Sequence, residues 1–154
     1  MKILHINSLC GVTGTGRIVA DLYKAAEGHG HECRIAYGEH KYHNVPGDMK
    51  TMEIGTLRDC RRHAVLTRLC DMQGFGSRRA TVKFLEEVKQ YDPDVIHLHN
   101  LHGYYINIEL LFWYLKQSRA RVVWTLHDCW PFTGHCVYFQ SADCVKWKEG
   151  CFAC

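Results

Sequence analysis

Short β-type runs alternate with helical spacing along this chain, and that alternation limits its fold more than any other feature. Residues 3–7 (ILHIN), 33–37 (CRIAY), 95–98 (VIHL) and 121–126 (RVVWTL) read as strands, with a weaker run at 50–54. Residues 16–27 carry helical apolar spacing through Ile18, Val19, Leu22, Ala25 and Ala26, and Gly28 to His31 end that helix. Residues 57–72 and 77–91 also read as helices, divided by the turn Gly74-Phe75-Gly76, with Ser77 as an N-cap for the second. Asp92-Pro93-Asp94 is a turn, and residues 106–117 form a further helix. Strands joined through helices give right-handed βαβ units, a parallel sheet and helices on both faces. The natural strand order is 3-2-1-4-5. In such a sheet ligands gather beyond the strand C-termini, between the first and fourth strands.

Composition narrows the class. The chain has 154 residues, 47% hydrophobic and 23% charged, enough for one globular core. Its net charge of +3 is too small to imply nucleic acid. The first residues, MKILH, form a short strand rather than a secretory signal, and no apolar run is long enough to span a bilayer. The expected location is therefore the cytoplasm. Nine cysteines are many for a reducing compartment, and four of them fall in the last nineteen residues. After Asp128 the strand–helix pattern dissolves. We expect a Rossmann-like domain over residues 1–128 and a cysteine-rich loop over 129–154, with no closing helix, as in the front half of a longer protein.

The unusual residues follow the first, fourth and fifth strands. The first loop, CGVTGTGR, has glycines that let backbone N–H groups approach an anion at a helix N-terminus; a flexible turn is the alternative. It is not G-x-G-x-x-G, because counting from Gly14 the third glycine falls on Val19. Nor is it a P-loop, because Arg17 and Ile18 follow Gly16. The second loop follows VIHLHNLHGYY. His97 and His99 share a strand face, and with Asn100 and His102 they suggest a polar cleft wall. The third is WTLHDCWPFTGHC, where His127 and Asp128 close the fifth strand. Such a pair can orient a hydroxyl or move a proton; a packed histidine and a capping aspartate are the alternative.

Those three stretches in this order resemble the N-terminal half of family 4 glycosyltransferases with the two-domain GT-B fold, close to bacterial enzymes of polysaccharide assembly. The resemblance covers nearly the whole chain. It implies transfer of a sugar, with retention at the anomeric carbon, from a nucleotide-sugar co-substrate to a saccharide or lipid-linked acceptor. It implies no catalytic metal, and an acceptor-side role for this domain. By the same resemblance Gly14, Thr15, Gly16 and Arg17 match the loop that closes over the donor phosphates. His127 matches the histidine that contacts the transferred sugar, and Asp128 stands beside it. His97, His99, Asn100 and His102 would then line the acceptor cleft. The family's donor-binding half, with its paired glutamates, is not within these residues, so the chain alone is expected to be inactive.

Other readings stand beside this one. Glu39, after the second strand, could hold a ribose hydroxyl in a dinucleotide-binding oxidoreductase domain. Cys136, Cys144, Cys151 and Cys154 could close a structural zinc site, with Cys129 or His135 as substitutes, either within the transferase or as a non-catalytic interaction module; free thiols or disulfides are the alternatives. Arg58, Arg61, Arg62, Arg68, Arg78, Arg79 and Lys83, beside Leu57, Val65, Leu66 and Leu69, form either a solvated helix face or a basic surface for the inner face of the cell membrane.

Overall fold

A computed structural model describes residues 1–38 and 47–150. Its elements run β1 (Lys2–Ile6), α1 (Thr13–Gly28), β2 (Glu32–Tyr37), β3 (Thr51–Glu53), α2 (Leu57–Cys70), α3 (Arg78–Tyr91), β4 (Val95–Leu98), α4 (Ile108–Gln117), β5 (Arg121–Trp124) and the short α5 (Trp130–Thr133). Two single 3₁₀ turns follow, at Gln140–Ala142 and Lys146–Lys148. The five strands form one parallel sheet in the expected order 3-2-1-4-5.

Side chains alternate across each strand, so the sheet has two cores. Leu4, Ile6, Ala36, Ile96 and Leu98 face α3 and α4, where Phe84, Leu85, Val88, Tyr91 and Leu111 meet them. On the other face Cys33, Ile35 and Tyr37 pack against Val19, Ala20 and Tyr23 of α1. Each fully buried aliphatic or aromatic side chain contributes roughly 1.5–3 kcal/mol of burial free energy. β5 is an edge strand. Its Val122 and Val123 remain about half exposed, so this strong β run is not a buried one.

Several expected boundaries move, each for a local reason. α1 begins at Thr13 rather than Gly16, so Gly14, Thr15, Gly16 and Arg17 are its first turns and not a loop. Gly16 is buried there, and its carbonyl accepts the Gly11 N–H at 3.1 Å, folding the loop back onto the helix. The buried stripe of α1 is Gly16, Val19, Ala20 and Tyr23, which leaves Ile18 and Leu22 exposed. α4 begins at Ile108 because Asn107 caps it, its Oδ1 accepting from Leu110 N at 3.0 Å. Ser77 does stand at the N-cap of α3, but its hydroxyl makes no cap bond. It donates instead to the Tyr104 carbonyl at 3.0 Å.

Candidate functional site

The chain pairs on past the strands, and this aligns their exits. Asn7 N–H donates to Ala36 O, His99 N–H to Ile6 O and Thr125 N–H to Leu98 O, at 2.9–3.0 Å. Asn7, wholly buried, ties two exits together. Its Nδ2 donates to Leu9 O at 2.7 Å and its Oδ1 accepts from Asn100 N at 3.1 Å. Just beyond lies the start of α1. Val12 occupies its N-cap with no side-chain hydrogen bond, and its first turn holds no acidic residue. Gly14 faces open space and Arg17 is exposed. A helix N-terminus without a cap, flanked by a cation, can receive an anion.

Histidines fill the space behind the fourth and fifth strand ends. Parallel pairing sets His5 of β1 opposite His97 of β4. His99, one pleat further on, lies with its Nε2 3.4 Å from His5 Nδ1 and its Nδ1 3.0 Å from His127 Nε2. His97 Nε2 contacts Thr125 Oγ1 at 2.8 Å. His5 and His99 are 3% and 1% exposed. Burial, with like-charged histidine neighbours, pushes His5 down to about 4 and His99 down to about 3, and lowers His97 as well. These three rings are therefore neutral near pH 7.

The expected site residues differ in setting. His127 is half-buried and leans on His99. His99 is interior, beneath His127, and so does not stand on an exposed wall. His102 and Asp128 pair with each other, Nε2 to Oδ2 at 2.8 Å, while the other Asp128 oxygen accepts from Trp130 N at 3.0 Å. Asp128 is thus bonded to His102 and to the Trp130 N–H, not to His127. Asn100 offers its backbone N–H to Asn7, and its carbonyl accepts from the Tyr105 hydroxyl at 2.8 Å. His5 and Asn7 join the site without having been among the residues expected there. A histidine inside an apolar strand run and an asparagine at its end were the available signals.

Comparison with known proteins now bears on this edge of the sheet. The family model for Glycosyltransferase Family 4 matches residues 12–148, from the loop before α1 to beyond the fifth strand. The chain belongs to glycosyltransferase family 4. It is also 27% identical, over its whole length, to a putative colanic acid biosynthesis glycosyl transferase, WcaC, of Escherichia coli strain K12. It spans 39% of the length of that relative.

Among the described residues, His5, His97 and His99 form a group whose ligand nitrogens lie within 4.8 Å of one another. The group holds no thiolate or carboxylate, and the nitrogens in contact already face each other or Thr125, as a hydrogen-bonded cluster would. Of the four cysteines expected to hold zinc, Cys136 and Cys144 are half-buried; Cys151 and Cys154 lie outside the described residues, as does Glu39. The buried side of α2 is His63 and Thr67. Arg58, Arg61, Arg62, Val65, Arg68 and Leu69 all face outward, and no described helix is long and apolar enough to cross a membrane.

Proposed function

We propose that this chain is the acceptor-side portion of a retaining glycosyltransferase of polysaccharide assembly. The sugar comes from a nucleotide sugar and goes to a saccharide or lipid-linked acceptor. The bond between the anomeric carbon and the diphosphate oxygen breaks, a bond from the acceptor hydroxyl oxygen to that carbon forms, and the hydroxyl proton goes to the departing diphosphate. The observation that carries this reading is the family 4 match over residues 12–148, which includes both the start of α1 and His127. In this reading Gly14, Thr15, Gly16 and Arg17 face the donor phosphates across the α1 N-terminus. His127 touches the transferred sugar, Asp128 holds His102, and His97, Asn100 and His102 belong to the acceptor side. Residues 129–154 are a loop of the same domain, with Cys136, Cys144, Cys151 and Cys154 as ligands for a structural zinc. Transfer also needs a donor-binding domain, for which the greater length of the relative leaves room, so the 154 residues alone do not turn over. The outward Arg face of α2 makes peripheral contact with an anionic membrane that carries the acceptor.

The test uses His127→Ala in a polypeptide extended to the length of the relative. His127 gives up few core contacts, so its melting temperature should stay within about 3 °C of the parent. Loss of a contact made in the transition state should lower kcat roughly a hundredfold. A variant that melts lower yet transfers sugar at the parent rate would remove His127 from the site.

A further inference from the structure

His5, His99 and His127 form one chain of contacts, and the chain has a direction. Each neutral imidazole carries one N–H and one bare nitrogen. His99 sits in the middle, so it donates on one side and accepts on the other. If its Nδ1–H donates to His127 Nε2, its Nε2 accepts from His5 Nδ1–H, and His5 Nε2 is bare. In the opposite direction His5 Nε2 must carry the hydrogen. His5 Nε2 is buried and has no hydrogen-bond partner. A buried N–H without an acceptor is the rarer and more costly orphan, whereas a bare nitrogen leaves only an unused lone pair. The first direction is therefore favoured.

We propose that His5 and His99 are positioning residues that fix His127 as its Nδ1–H tautomer, so that His127 offers the cleft a hydrogen-bond donor. The contacts are 3.4 Å from His5 to His99 and 3.0 Å from His99 to His127. The nearby carboxylate, Asp128, is bonded to His102 and to the Trp130 N–H, so the direction comes from imidazoles alone. Burial keeps His5 and His99 neutral, as the alternating donors and acceptors require. His127 Nε2 is occupied by His99 and Nδ1 carries hydrogen, so the ring has no free lone pair for a proton. Its ligand is an oxygen acceptor, a sugar hydroxyl or a phosphoryl oxygen, and His127 is not a general base. This use of the donor rests on the transferase reading; the tautomer itself does not.

The experiment is two-bond ¹H–¹⁵N correlation on the ¹⁵N-histidine-labelled chain at pH 7.5. Expected is a protonated Nδ1 and a bare Nε2 for His5, His99 and His127. His127 protonated at Nε2 overturns the proposal. His5→Gln keeps an N–H that can donate to His99 and should preserve the His127 pattern. His5→Leu removes the donor and should relax His127 toward a mixture of tautomers; an unchanged pattern there overturns the role of His5. Stoichiometric zinc that shifts His5, His97 and His99 together also overturns it, by making the cluster a metal centre. Sugar transfer is not measured here, so failure of the transferase reading leaves these outcomes intact.

Discussion

A buried neutral histidine links folding to pH, and this chain has several. His5 and His99 titrate near 4 and 3 in the folded state, against about 6.5 in an unfolded chain. Below pH 6.5 the unfolded chain takes up protons that the folded one refuses, so stability falls as the pH falls. Above 6.5 both states are neutral and the effect is absent. By pH 5 each of the two should cost roughly 2 kcal/mol, and His97 and His63 shift the same way. Urea midpoints at pH 7.5, 6 and 5 should fall steadily, and His5→Gln should flatten the slope by about one proton. A flat profile would mean that these rings stay hydrated. His97, His99 and His127 were legible as a group because they mark strand ends in the sequence. His5 was not, because its role depends on the register that sets β1 beside β4, and no local pattern carries a register between strands some ninety residues apart.

Helices α2 and α3 are joined by a turn that folds around one side chain. His63, 2% exposed, accepts at Nε2 from the N–H groups of both Gly74 and Gly76, each at 3.1 Å. Its Nδ1 therefore carries the hydrogen and donates to Ser77 Oγ at 3.1 Å, which explains why Ser77 cannot cap α3 in the usual way. Gly76 is required because a Cβ there would lie 2.4 Å from His63 Cγ. Replacing His63 with Leu fills similar space but strands two buried N–H groups. The expected loss is about 2–4 kcal/mol, read from urea unfolding; a loss under about 0.5 kcal/mol would show that the turn finds other acceptors. The sequence announces this turn through Gly74-Phe75-Gly76, as it announces the strand order through alternation. It misplaces the start of α1 because Thr13, Gly14 and Gly16 are poor helix formers. The Gly11–Gly16 contact and the packing of Val19 and Tyr23 on β2 decide that boundary, and both are tertiary.

At the scale of the whole molecule, charge is unevenly placed even though the total is only +3. Along the outward side of α2, Arg58, Arg62, Val65 and Leu69 follow one stripe at helical spacing, with Arg61 and Arg68 beside it. Leu69 is 79% exposed and Val65 55%, and Met72 and Phe75 continue the apolar edge past the helix. Arg78 differs from the rest because Glu109 holds it at 2.7 Å. Guanidinium groups beside unpartnered aliphatic side chains suit a surface of anionic headgroups over acyl chains, with about 1 kcal/mol for each Lys or Arg near it. The chain should therefore co-sediment with vesicles containing phosphatidylglycerol and not with purely phosphatidylcholine vesicles. Raising salt from 0.1 to 0.5 M should weaken binding, because exposed charges are screened over about 10 Å at the lower value and less at the higher. Arg61→Glu with Arg62→Glu should abolish it, and Leu69→Ser should weaken it with less effect on its salt dependence. All three residues face away from both cores, so the melting temperature should hold. Equal sedimentation with both vesicle types, or binding that survives the double charge reversal, would show α2 to be a solvated face and place any membrane contact elsewhere.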